Sequence, residues 1–403
     1  MNQSIHRLIY TIIGIVGNLP ILYLCINHYE YSVLADFSKG ILIFQYFFLV
    51  NEWGFNLYAL ENISPQTKKI DKKIINEVIF SKIILSIFNI VLLSLFLTLD
   101  IITFNNAYMP LFLMFIVFTS AFNPLWFFQA IGKIELLNFP LFTLKLSQLI
   151  ILFYFISTSN LYLFFITQGI LLGALFLYNL YILNKLYSYR FKLKFSYFLI
   201  GFNGVIKLKN YFLSNLHNHI NLTMWGVILV IVGSPLQIII FNLVDTIYRG
   251  MNAIFQALIE PIFRVIKFKF KNLTFLFLFS ILLLFPIYYC IPFFTHLIFP
   301  KYSNDLIEVF RLLSILLAIL FISKVSSYFF LGKASIMIMN RFNIYFLFIE
   351  VLLVFCWYFL MQINVKEVIL LLLLLNFGKT VLVALVKLFP KLLNTLRLDD
   401  KFF

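Results

Sequence analysis

The stretch "INEVIFSKIILSIFNIVLLSLFLT" (residues 75–98) decides the fold. A helix needs about 20 mostly apolar residues to cross the hydrocarbon core of a bilayer, and these 24 residues meet that length. The flanks give the run a direction. Lys68, Lys69, Lys72 and Lys73 precede it and Asp100 follows it. Lysine and arginine collect in cytoplasmic loops, so the N-terminal end of this span is expected inside.

Working outward, the same pattern recurs. Apolar runs fall at roughly 7–27, 38–60, 75–98, 107–131, 138–158 and 161–183 in the first half. The second half gives roughly 212–232, 236–262, 272–295, 305–330, 343–363 and 367–388. That makes about twelve spans. With the N-terminus inside, the even-numbered loops hold most of the bases, from Lys133 through Arg190, Lys192 and Lys194 to Arg264, Lys267, Lys333 and Arg341. The opposite loops hold Lys301 and Lys366, with Lys39 at a span edge, and collect Glu30, Asp36, Asp305, Glu308 and Glu367. Adding or dropping one span mid-chain would destroy this asymmetry, so an even count with both termini cytoplasmic is expected.

Composition agrees. The chain of 403 residues is 63% hydrophobic and 12% charged, too little charge to cover a soluble surface. Its 31 Lys+Arg against 16 Asp+Glu give a net charge of +15, read here as loop topology rather than nucleic-acid binding. Cys25, Cys290 and Cys356 sit in apolar runs and read as small hydrophobes rather than disulfide partners or metal ligands. The N-terminal run lacks a small-x-small cleavage site and reads as a retained first span.

The longest basic loop divides the chain. We expect an N-terminal six-helix lobe over 1–190, a basic cytoplasmic inter-lobe loop over 191–211 and a C-terminal six-helix lobe over 212–403. The apolar "FSYFLIGF" within that loop is too short to cross, and reads as interfacial or as the start of the seventh helix. Six plus six spans often mark two bundles that rock around a shared cavity.

Charges inside the spans carry the functional reading. "LVDTIYRG" (243–250) places Asp245 and Arg249 one helical turn apart in the eighth span. Each costs roughly 2.5–3.5 kcal/mol at a helix centre on insertion scales. An i,i+4 pair recovers part of that and can be a local, self-neutralising salt bridge. Two leucines would serve stability as well, so the pair points to use. Lys82, Arg311 and Lys379 add bases on three further spans, and Glu52 adds an acid in "FLVNEWGFNLYAL" (48–60). Lys145, Lys324 and the surroundings of Glu350 can instead snorkel to headgroups. Asn51, Asn56, Asn123, Gln129 and Gln168 are commonly interhelical hydrogen-bonding residues. Bases on several helices would line a net cationic cavity suited to an anionic, phosphate-bearing cargo.

Several chemistries lack their motifs. No GxxxxGK[ST] loop, GxSxG elbow or metalloprotease His/Glu pair occurs, and His217 and His219, two apart, point away from each other on a helix. No metal site, organic cofactor or enzymatic activity is expected. Transport driven by an ion gradient or by substrate supply remains, with coupling to a proton or to sodium left open.

Four stretches resemble the Wzx-type O-antigen flippases, polysaccharide-unit exporters related to the MATE drug exporters of the MOP superfamily. In "NEWGFNLYALENIS", followed by "SKIIL", Glu52, Gly54, Phe55, Ser64 and Lys82 fit that family's second-to-third-span pattern. "NPLWFFQAIGKIELLN" matches at Trp126, Phe127, Phe128 and Gln129, with Ala130 where glycine is usual. "IIIFNLVDTIYRGMNAIFQALIEPIFR" keeps Asp245, Arg249 and Pro261 in step, although the family more often has Glu-Lys at Asp245-Thr246. "KYSNDLIEVFRLLSI" keeps Arg311. The likeness runs from about residue 10 to 390. It implies an all-α, MATE-like integral membrane protein of the bacterial inner membrane, with about twelve helices in two six-helix bundles. It also implies a cargo: an oligosaccharide on undecaprenyl pyrophosphate, moved from the cytoplasmic to the periplasmic leaflet, with a polysaccharide polymerase as a candidate partner beside the membrane lipid. On that reading Arg249, Lys82, Arg311 and Lys379 bind substrate, while Asp245 and Glu52 tune those charges or carry the coupling ion. A multidrug or small-cation exporter of the same superfamily is one alternative, expected to favour an acidic cavity. A membrane glycan polymerase is another, expected to carry a large outside loop with Arg and His.

Overall fold

The computed structural model describes residues 23–63, 71–155, 161–209, 224–265, 288–297, 303–331 and 364–388, with isolated positions besides. Every element among the described residues is helical. The principal helices are α1 (Tyr31–Glu52), α2 (Phe55–Asn62), α3 (Lys72–Thr98), α4 (Met109–Ser120), α5 (Leu125–Ala130), α6 (Glu135–Phe155), α7 (Leu163–Tyr187) and α8 (Phe195–Lys207), then α9 (Pro235–Val265), α10 (Ser303–Leu331) and α11 (Val365–Leu388). Among the described residues, six helical stretches are long and apolar enough to cross a membrane, and the protein is multi-pass. The chain forms two compact units, Met1–Leu243 and Val244–Phe403. The span expected at 343–363, and most of those at 7–27 and 272–295, lie outside the described residues.

The ends of the helices follow from local chemistry. Asp71 caps α3, its carboxylate accepting from the Lys73 amide at 2.8 Å, which satisfies one of the unpaired first-turn donors. Ser234 and Gln237 form a reciprocal capping box ahead of α9. The Ser234 amide donates to Gln237 Oε1 at 3.2 Å, and the Gln237 amide to Ser234 Oγ at 3.4 Å. Pro235 opens that helix, where its missing N–H costs nothing.

Two expected spans are broken. The second starts at Tyr31 rather than near residue 38, and stops at Glu52. Trp53 (φ 35°) and Gly54 (φ 78°) are both left-handed, and α2 restarts at Phe55. Gly54 takes this conformation freely because it has no Cβ, whereas Trp53 adopts it with a side chain in place. The fourth expected span is α4 and α5, separated by Ala121–Pro124. Proline at 124 gives up an amide and turns the chain. Asp36, expected in an outside loop, is a buried residue of α1. It accepts from the Asn105 and Asn106 amides at 2.7 and 3.1 Å and so clamps the α3–α4 connection.

Lipid tails are as apolar as leucine, so helices in a bilayer gain little from hydrophobic burial alone; close packing and interhelical hydrogen bonds orient them. The first unit uses both. Its core gathers Phe55, Phe80, Trp126, Phe127 and Phe128 around the two breaks. Trp126 stands edge-on to Phe127, with ring centroids 5.8 Å apart. In the second unit α10 and α11 pack on each other.

Candidate functional site

The two helix breaks of the first unit are adjacent, and charge fills the space between them. Glu52 is the last residue of α1, Asn123 lies between α4 and α5, and Lys82 projects from α3. Lys82 Nζ donates to Glu52 Oε1 at 3.0 Å and to the Asn123 carbonyl at 3.3 Å. Asn123 Nδ2 donates to the same Glu52 oxygen at 3.2 Å. Lys82 is 1% exposed and Glu52 7%, so both charges are desolvated. Glu52 Oε2 is buried without a hydrogen-bond partner among the described residues. The Lys82 ammonium also lies 6.0 Å from the centroid of the Phe55 ring, the first residue after the break.

A second tier continues this polar seam along α3. Asn89 Nδ2 donates to Asn51 Oδ1 at 2.8 Å and to the Phe47 carbonyl at 3.2 Å. Asn51 Nδ2 reaches Ser120 Oγ at 2.6 Å and the Val117 carbonyl at 3.0 Å. Ser86 Oγ donates to the Phe118 carbonyl at 3.3 Å. Lys82, Ser86 and Asn89 therefore form one stripe at i, i+4 and i+7, facing the interrupted ends of α1 and α4. Asn89 and Ser86 were absent from the sequence-predicted set, although this spacing on α3 would have revealed them.

Lys145 does not snorkel. It is buried on α6 and donates to Gln148 Oε1 at 3.2 Å and to Gln168 Oε1 on α7 at 2.9 Å.

In the second unit, Asp245 is fully buried, and Arg249 Nε lies 2.8 Å from each of its carboxylate oxygens. Arg249 remains part-exposed, its side chain at 29%. The intrahelical pair expected from spacing is thus formed, with the base as its accessible member. Arg311 on α10 lies under the Tyr288 ring, 5.1 Å from guanidinium carbon to centroid. Its Nε has no hydrogen-bond partner among the described residues. Lys379 is carried by α11, which packs on α10; its side chain lies outside the described set. The structure thus joins Glu52 with Lys82 in one unit and Asp245 with Arg249 in the other. Among the described residues, no group of three or more His, Cys, Asp or Glu residues could hold a metal ion.

A third cluster lies at the lysine-marked end of α3. Tyr58 donates to Glu77 Oε2 at 2.9 Å. Lys207, the last residue of α8, donates to the Tyr58 hydroxyl at 3.0 Å and to Glu77 Oε1 at 3.4 Å. The Tyr58 hydrogen bond, with the Glu77 charge, raises the Lys207 ammonium above the ordinary lysine range. Tyr189 donates to Asn76 Oδ1 at 2.6 Å, and burial, then the nearby Tyr197, pushes its phenol up to about 12.

No family model matches the sequence, and no curated protein matches it. Solved structures do. An inward-facing multidrug resistance MATE family transporter of the MOP superfamily superposes with a TM-score of 0.66 at 13% identity, covering 98% of this chain and 99% of that one. The outward-facing conformation of such a transporter gives 0.57 at 12%, covering 98% and 95%. A MOP superfamily transporter from Pyrococcus furiosus, described as having a binding pocket of reverse polarity that suggests a different function, gives 0.56 at 13%, covering 95% and 93%. At these identities the likeness shows the fold: the chain is an all-α membrane protein with the twelve-helix MATE-like architecture.

Proposed function

We propose that this protein is a transporter that flips a lipid-linked, pyrophosphate-bearing oligosaccharide from the cytoplasmic to the periplasmic leaflet of a bacterial inner membrane by alternating access. One observation carries the reading: full charges sit inside apolar helices where leucine or methionine would pack at no loss. Buried ion pairs are poor contributors to stability, and intramembrane ionisable residues mark ion and substrate paths. Among the described residues, Glu52–Lys82 and Asp245–Arg249 are such pairs. Arg249 and Arg311 are the bases with guanidinium forks, the geometry that grips phosphate oxygens in pairs. Lys82 and Lys379 add positive potential. Glu52 and Asp245 hold the bases in place and offer carboxylates to a coupling proton or sodium ion. The candidate bases Arg249, Lys82, Arg311 and Lys379 outnumber the candidate acids Glu52 and Asp245, which favours an anionic cargo, and a neighbour of this fold described as having a pocket of reverse polarity supports the same direction.

A second reading is a multidrug or small-cation exporter, favoured by the multidrug transporters among the structural neighbours. Deleting the gene and measuring lipid-linked oligosaccharides together with surface polymer separates the two. Accumulation of single repeat units on undecaprenyl pyrophosphate at the cytoplasmic leaflet, with surface polymer lost, is the expected result. Unchanged lipid intermediates with increased retention of cationic dyes would assign the exporter instead. Repeat units that reach the periplasmic leaflet and stay unpolymerised would assign a polymerase.

A further inference from the structure

Helix α8 is 13 residues long, about 20 Å, too short for a hydrocarbon core of about 30 Å. One face of it is locked to α3. A Cβ at Gly201 would stand 2.7 Å from the Phe80 carbonyl carbon and 2.8 Å from the Ser81 nitrogen, so the two backbones meet directly. Ser81 Oγ donates to the Gly201 carbonyl at 2.7 Å, and Trp53 Nε1 to the Val205 carbonyl at 3.0 Å. Rotation about the α8 axis is therefore blocked.

The opposite face is fixed outward and is apolar. Phe195, Leu199, Phe202 and Ile206, at i, i+4, i+7 and i+11, are 56–81% exposed. Such a stripe on a short helix is the pattern of one lying in a membrane interface. Depth agrees. Its α3 partners Glu77 and Ser81 lie five and nine residues past Lys72, so about 7–14 Å along the axis. Measured from a lysine at the headgroups, that range brackets the headgroup–acyl boundary. Charge is just as one-sided. Arg190, Lys192 and Lys194 precede α8, Lys207 and Lys209 close it, and all five are exposed. The chain carries no Asp or Glu between Glu135 and Asp245.

We propose that α8 is an interfacial helix that seats the first unit on the cytoplasmic leaflet, with its apolar stripe among the acyl chains and its basic flanks holding anionic phospholipid headgroups. The cation cluster is opposite in sign to the anionic headgroups of that leaflet, and each such base raises local binding about fivefold.

The test uses the full-length protein in nanodiscs of phosphatidylglycerol and phosphatidylcholine. The Phe202→Trp variant, corrected for wild-type fluorescence, should be quenched by brominated acyl chains and spared by aqueous acrylamide; the reverse pattern overturns the interfacial placement. Native mass spectrometry of released protein should show retained phosphatidylglycerol enriched over phosphatidylcholine. R190Q/K192Q/K194Q/K209Q should lower that enrichment at least ~10-fold, whereas R190K/K192R/K194R/K209R should keep it. Lys207 stays in both because it is tied to Tyr58 and Glu77. Unchanged enrichment in the glutamine variant overturns the lipid assignment. Displacement of phosphatidylglycerol by millimolar inorganic pyrophosphate also overturns it, and assigns the cluster to a soluble phosphate ligand.

Discussion

The Glu52–Lys82 pair yields a quantitative prediction through a double-mutant cycle. Replacing Glu52 by Leu leaves the Lys82 ammonium, 1% exposed, with the Asn123 carbonyl as its remaining described acceptor. An uncompensated buried charge of this kind costs about 3–5 kcal/mol. Replacing Lys82 by Met leaves the Glu52 carboxylate with the Asn123 amide alone, since Oε2 already lacks a partner. The loss is again about 3–5 kcal/mol. The double variant Glu52→Leu/Lys82→Met removes both charges and forfeits one or two hydrogen bonds of Asn123, worth about 1–2 kcal/mol. Equilibrium unfolding in nanodiscs should therefore show both single variants far below wild type and the double variant near it, a coupling of several kcal/mol. Flipping of lipid-linked oligosaccharide should fail in all three. Additive losses, or single losses below about 1 kcal/mol, would refute the claim that the pair is desolvated. Wild-type flipping in the refolded double variant would refute the functional role and leave a structural one.

Replacing Arg249 by Ala should abolish translocation in a vesicle assay while membrane insertion stays normal; full activity would remove Arg249 from the site. Replacing Gly201 by Val drives a Cβ into the α3 backbone, so unfolding should show a loss of about 1–3 kcal/mol and limited proteolysis should open the α8 region, with Asn203→Ser, at an exposed polar position of the same helix, as a near-neutral control. The junction of α8 with α3 should also weaken in alkali. Lys207 and Tyr189 both titrate higher in the folded protein than in an unfolded chain, so their contributions are complete below about pH 10 and fade as the pH climbs through the folded values, toward 12 for Tyr189. Hydrogen exchange of α8 should be flat from pH 6 to 9, after correction for the intrinsic rate, and rise beyond 10. Collapsing the pH gradient at fixed sodium should slow transport if a proton is coupled; an unchanged rate assigns the drive elsewhere.

The helices themselves were legible because crossing a bilayer imposes length and hydropathy that a sequence cannot hide. The pairing of Asp245 with Arg249 was legible too, since both lie on one helix, where spacing is geometry. The breaks were not. "NEWGF" reads as a span with a flexible glycine, yet the chain stops at Glu52 and turns through Trp53, whose indole donates to the Val205 carbonyl of α8, a contact 152 residues away in sequence. Glu52 and Lys82 each stood out as a charge, but their contact crosses 30 residues and two helices, and hydropathy carries no information about which helices touch. Lys145 reads as a snorkelling base and is instead held by Gln148 and Gln168, because an amide pair on neighbouring helices can satisfy an ammonium without water.

The capping box ahead of α9 has an electrical consequence. It fixes the first helical residue at Pro235, and Asp245 follows ten residues later, so about 15 Å along the axis. That is half of a core of about 30 Å. Arg249 reaches back toward Asp245, so its guanidinium lies near the same depth. An ion seated there from either side falls through about half the membrane voltage, ~1.2 kcal/mol per unit charge per 100 mV. On the proposed reading, occupancy of this position would respond to the membrane voltage, with no voltage-sensing segment required. Deleting one residue between Ser234 and Asp245 would turn both charges by about 100° and move them by about 1.5 Å.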